Sequence, residues 1–237
     1  MNNPIVIAGI FIVAIAVVII TVLLRPKVET LVDQHKPKPD VADPGSWVVG
    51  PVYNGQPNPS KGMPLHPVKT PDGFAIPFIH PDDEAHYVTM LYGALTYNNG
   101  IRITGYVEGG PFVAASDKTS AATLCLYFQR QFDDWQETDS VPYSDGDTES
   151  FRWWATPKAV PLVPGPFTLE ASFADLWTAC EYSRSQGEPP AGKPQAFRRA
   201  LDNAGEVGFT CGGGTGWGHG VAAPAGGRIV ITKVEML

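Results

Sequence analysis

Residues 5–24 (IVIAGIFIVAIAVVIITVLL) form an uninterrupted apolar run whose one polar member is Thr21. At about 1.5 Å per residue, a helix of this length covers roughly the 30 Å of a bilayer's hydrocarbon and satisfies its own backbone there. The sequence therefore predicts a single N-terminal transmembrane helix within residues 1–25, with the lipid bilayer as the first partner of the chain. A cleavable signal peptide would need a basic leader, a shorter apolar core and a small-residue cleavage site. Met1 to Pro4 carry no Lys or Arg, and Arg25-Pro26-Lys27 follows the run, so a retained anchor is the expectation.

Two clues to orientation conflict. Arg25, Lys27, Lys36 and Lys38 flank the run on its C-terminal side, which the positive-inside rule reads as cytoplasmic. A Gly-, Pro- and Trp-rich, Lys-poor β domain is more familiar outside, and an extracytoplasmic, periplasmic-type location is adopted on that association. The three cysteines, Cys125, Cys180 and Cys211, have no metal or redox spacing and leave the compartment open: one bridge with a free thiol outside, or three buried thiols inside.

Twelve of the 23 prolines fall between residues 25 and 81. Proline removes backbone donors and biases the preceding residue to extended geometry, which disfavours helix and central strand alike. Residues 26–81 are accordingly expected to form an extended, proline-rich stalk. Its aromatic and branched residues, among them Trp47, Tyr53, Phe74, Ile76 and Phe78, suggest that its later part lies along the domain or a partner.

Residues 82–237 read as a β domain. Residues 87–97 and 101–108 are strand-like and flank Asn98-Asn99-Gly100, a hairpin-turn signal. Further strands are expected at 121–129, 150–155, 166–173, 206–211 and 228–236, with Phe167, Leu169, Ala171 and Phe173 on one face, and Ile229 and Ile231 facing opposite Val230 and Val234. A short helix is expected at 195–203, stopped by Gly205. This content fits a mostly-β, jelly-roll-like antiparallel β-sandwich with one short helix. The strand EVGFT, the loop GGGTGWGHG and the terminal strand GRIVITKVEML, together with LCLYFQRQFDDW and FRWWATP, resemble the closing strands of galactose-binding-like and carbohydrate-binding-module jelly rolls. The resemblance is one of layout over residues 87–237; it implies the fold and carries over no ligand or binding residue.

Most catalytic patterns fail on inspection. GEPPAGK at 187–193 imitates a phosphate loop, but Pro194 stands where a magnesium-holding Ser or Thr belongs. The glycines of 212–220 have no dinucleotide-binding register. His80 and His86 bracket Asp82, Asp83 and Glu84, a ligand set for a cation whose spacing matches no established site, so a solvated acidic turn is the reading adopted. Asp133, Asp134, Asp139, Asp145, Asp147 and Glu149 offer carboxylates of the kind glycosidases pair, and are read as loop residues. No catalytic residue and no cofactor is assigned. Trp135, Trp153, Trp154 and Trp217, with His219 in the glycine loop, are the candidates for contact with a ligand or partner; as neighbours on a strand, Trp153 and Trp154 must point to opposite faces.

A net charge of −7 without a basic stripe argues against nucleic acid. The function expected is that of a non-enzymatic, membrane-anchored accessory subunit that stabilises a larger protein complex. A cell-surface carbohydrate-binding module is the first alternative and a polysaccharide-acting enzyme the second.

Overall fold

Alternation in ATLCLYFQR organises the whole molecule. Ala122, Leu124, Leu126 and Phe128 enter one hydrophobic core, whereas Cys125 and Tyr127 turn to the opposite face and join a second cluster. The structure, a computed structural model, describes residues 40–53, 55–131, 133, 152–179, 194–213 and 218–237. The expected transmembrane helix and residues 26–39 of the expected stalk lie outside the described residues. Among the described residues no helix is long and apolar enough to cross a membrane.

The first sheet runs β1 (Trp47–Val49), β7 (Tyr87–Leu91), β15 (Ala204–Gly213), β10 (Ala122–Arg130), β11 (Arg152–Trp154) and β14 (Thr178–Ala179), with β12 (Val160–Pro161) also pairing β10. The second runs β13 (Gly165–Ser172), β8 (Gly100–Gly109), β17 (Gly227–Met236), β5 (Gly73–Phe78) and β4 (Val68–Thr70). A small third sheet joins β6 (Glu84–Ala85), β16 (Val221–Ala222) and β9 (Val113–Ala114), and a two-stranded ribbon joins β2 (Val52–Tyr53) to β3 (Gln56–Pro57). These pairings are antiparallel. The inner faces of the two large sheets share one core, so the mostly-β antiparallel sandwich agrees with the sequence reading.

The expected helix is also present, as α1 (Pro194–Asp202). Its first residue is proline, which loses nothing at a position where the amide has no intrahelical partner. Phe197, Ala200 and Leu201 form its buried stripe. Phe197 meets Trp153 and Phe128 edge-on at centroid distances of 5.0 and 5.7 Å, which fixes the helix to the core of the sandwich.

Three expectations are corrected. The first concerns the stalk: residues 40–81 belong to the domain. Trp47 is 1 % exposed on the edge strand β1, and β5, which contains Pro77, lies between β17 and β4 with Phe74, Ile76 and Phe78 in the core. Proline density concealed strands that are short or interrupted. The second concerns the Asn98-Asn99-Gly100 hairpin, which does not form, because β7 lies in the first sheet and β8 in the second. Neither asparagine takes a positive φ. The amides of Tyr92 and Leu95 donate instead to the carbonyls of Gly205 and Leu201, both at 2.8 Å, as the chain crosses between sheets. Gly100 serves close approach rather than a turn: a Cβ there would lie 2.4 Å from the Ala171 carbonyl oxygen.

The third correction concerns β17. An irregularity between Ile231 and Lys233 shifts its register against β8. Val234 and Met236 therefore pack against the same core as Ile229 and Ile231, where uninterrupted alternation would have separated odd from even positions.

Candidate functional site

The outer face of the first sheet is the unusual surface. Register places Leu91, Glu206, Gln129 and Arg152 in one row across β7, β15, β10 and β11. The next row is Thr89, Gly208, Tyr127, Trp154 and Thr178, and the one after it holds Tyr87, Thr210 and Cys125. An outward face of a sandwich is ordinarily polar and wet. Here Tyr127 is 0 % exposed, Gln129 1 %, Glu206 2 % and Trp154 4 %.

Aromatic packing ties the middle of this face together. Tyr127 meets Tyr87 edge-on and Trp154 at a tilt, both at 5.2 Å between centroids. Its hydroxyl donates to Gln129 Oε1, whose Nε2 in turn donates to the Val52 carbonyl at 3.0 Å. Thr89 Oγ1 donates to the Gly50 carbonyl at 3.3 Å. The chain entering the ribbon, at Gly50 and Val52, is thus bonded to the outer face by side chains from β7 and β10, the strands on either side of β15. Gly50 turns the chain toward that ribbon at φ 153°, and a Cβ there would lie 2.0 Å from the Asn58 carbonyl oxygen.

Charge is buried in the same place. Arg152 Nε lies 3.0 Å from Asp133 Oδ2, and Asp133 is 5 % exposed. Burial, reinforced by the Asp133 charge, pushes the Glu206 carboxyl up to about 8, so it is protonated at neutral pH. Burial likewise holds the Tyr127 phenol well above its ordinary value. Glu206 Oε2 and Trp154 Nε1 meet no hydrogen-bond partner among the described residues. A neutral carboxyl near a carboxylate paired to arginine is the arrangement that separates an acid from a base. Both carboxyls are buried, however, at 2 % and 5 % exposure.

The two described cysteines belong to opposite faces of this sheet. Cys125 lies in the outer cluster and Cys211 in the inner core, so they cannot bridge each other, and both are free. Burial pushes the Cys125 thiol up to about 12 and the Cys211 thiol higher still, which leaves both unreactive.

Of the residues singled out by sequence, Trp135 and Trp217 lie outside the described residues. Trp153 and Trp154 do point to opposite faces, inward and outward, but the outward one is buried as well, so neither is presented to a ligand. His219 is exposed, and the carbonyl of its neighbour Gly218 accepts from His86 Nδ1 at 3.1 Å. His86 thereby staples the glycine loop to the start of β7. His80 is exposed, and its amide and that of Ile79 donate to Asp83 Oδ2 at 2.8 and 2.7 Å, so the buried Asp83 closes the acidic turn. Glu84 is occupied by Lys118 Nζ at 2.9 Å, whose ammonium holds its carboxyl below the usual range. His80 and His86 do not converge on a metal-binding group, and among the described residues no three His, Cys, Asp or Glu side chains do.

A second feature is an open groove of about 820 Å³ beside α1, lined by Phe173, Leu176, Phe197 and Leu201 with Asn98, Asn99, Asp175 and Arg198. Tyr97, in the turn that borders it, is 84 % exposed. Sequence reasoning passed over this groove and also over Glu206. The available signal for Glu206 was a lone carboxylate opening an otherwise apolar strand, EVGFTC. No family model, no curated protein and no solved structure matches the chain.

Proposed function

We propose that the chain is a non-enzymatic accessory subunit, held at a membrane by an apolar helix at residues 5–24, whose jelly-roll-like sandwich acts by contact with neighbouring membrane proteins. The observation that carries this reading is the shortness of the tether. Because strand pairing begins at Trp47 and the turn at Asp40 to Asp43 is already built, only residues 25–39 intervene between apolar run and domain. Roughly 15 residues, at no more than about 3.5 Å each, reach at most about 50 Å. A domain on so short a lead is confined to one thin layer, which raises its effective concentration against anything else in that layer.

Mild detergent extraction of the full chain, followed by native mass analysis, tests the reading. A stoichiometric protein partner that is lost when residues 1–39 are deleted is the expected outcome. Recovery of the full chain without any partner, from membranes cross-linked before extraction, would overturn it.

The second reading, a carbohydrate-binding module, is favoured by Tyr97 beside the open groove: an exposed aromatic face with Asn98, Asn99 and Arg198 nearby is the combination that stacks on a sugar ring and hydrogen-bonds its hydroxyls. A glycan array separates the two. Binding that disappears in Tyr97→Ala, with an unchanged melting temperature, would put the second reading first.

A further inference from the structure

Glu206 lies on β15, between the two strands that hold the chain entering the ribbon: Thr89 on β7 holds it at Gly50, and Gln129 on β10, the residue paired with Glu206, holds it at Val52. At the base of the ribbon the amides of Asn58 and Ser60 donate to the carbonyls of Pro51 and Val49, both at 2.9 Å. Val52 is 1 % exposed and Glu206 2 %, so the crossing is closed. Yet Glu206 Oε2 has no hydrogen-bond partner among the described residues, and the charge that raises it further is that of another carboxylate, Asp133. Among the described residues, the charged or titratable groups sharing this face are Asp133, Arg152, Tyr127 and Tyr87, with Tyr53 at the end of β2. Arg152 is already committed to Asp133. Ionised Glu206 would therefore be a buried, like-charge neighbour of Asp133, with no cation of its own among the described residues.

We propose that the ribbon of β2 and β3 is a pH-released latch: it closes over the outer face of the first sheet while Glu206 is protonated, and lifts when that carboxyl ionises against Asp133.

The direction follows from proton binding. Covered, Glu206 titrates at about 8; once the ribbon lifts and water reaches it, the ordinary value of 4.5 returns. The closed form holds its proton across that interval and the open form does not, so closure is tightest below about pH 4.5, weakens as pH rises, and stops changing above about 8. Within the interval, opening becomes about tenfold easier per pH unit.

Hydrogen exchange of the full chain in detergent tests this, read as protection factors so that the ordinary pH dependence of exchange cancels. The reporters are the amides of Asn58 and Ser60; the references are amides of β8 and β17. Protection at the reporters should fall about tenfold between pH 6 and 7 and about fivefold more by pH 8, with the references unmoved. Glu206→Gln keeps the shape without the charge and should flatten the profile. Asp133→Asn removes the opposing carboxylate and should bring the plateau to lower pH, which decides the matter should Glu206→Gln not fold. Flat protection in the parent, a parental slope in Glu206→Gln, an unmoved plateau in Asp133→Asn, or equal loss at β8 and β17 would each overturn the latch.

Discussion

The two outer faces of the sandwich obey different rules. On the second sheet, Arg102 pairs with Glu170 and Glu235 on the neighbouring strands, and Arg228 pairs with Glu108, all on partly exposed side chains. This is a wet ladder of charges, in which each pair is screened and gains little. On the first sheet, the equivalent surface is buried at Tyr127, Trp154, Gln129 and Glu206, and the chain entering the ribbon is bonded to it through Gln129. The difference shows that a sandwich strand with alternating pattern can be covered on both sides, and that the second cover comes from chain far away in sequence. In one case the outer positions carry partly exposed ion pairs, whereas in the other they form a second, smaller core.

The contrast can be broken by substitution. The largest effect is expected from Trp154→Ala, which removes the indole packed on Tyr127 and should cost about 3–5 kcal/mol, as a core truncation does. Equilibrium denaturation measures it, and a loss indistinguishable from zero would mean that the face is not a core. An intermediate effect is expected from Gly208→Ala. The new Cβ would stand 2.1 Å from the Val88 carbonyl oxygen, so β7 and β15 must shift, at about 1–3 kcal/mol. Exchange of the amides that pair these two strands would rise with it, and unaltered exchange would show that the pairing tolerates a side chain. The smallest is expected from Arg102→Ala on the other face. The denaturation midpoint should stay within error, and a drop comparable to that of Trp154→Ala would erase the distinction between the faces.

Where pairing partners are dictated by local pattern, the sequence was readable. The alternation of Phe167, Leu169 and Ala171 in β13, continued by Phe173 just beyond it, and the apolar stripe of α1, need only the period of the element to predict. It was misleading where a local signal competed with distant bonds. Asn98-Asn99-Gly100 specifies a hairpin on its own, but Leu95 is claimed by Leu201 and Tyr92 by Gly205, and those contacts decide. Prolines misled in the same way: Pro57 and Pro77 sit in strands that local rules would demote. The candidate site was least legible. Asp133 was noticed among the loop carboxylates and Trp154 among the indoles, but nothing in either neighbourhood says that the ribbon at 52–57 lies over this face. Burial of a polar row depends on chain brought to it from elsewhere, and one such piece, Val52, stands some 150 residues before Glu206.

The place of β17 has a consequence for how such a chain is made. It follows every other strand in sequence, yet it lies in the middle of the second sheet, with β8 on one side and β5 on the other. A ribosome delivers β5 and β8 long before the strand that joins them, and neither can find its central partner in the meantime. The sheet can therefore close only once β17 has been made, and joining it to β5 pays loop-closure entropy over more than half the chain. Loss of the last ten or so residues would not trim a border; it would leave two unconnected halves.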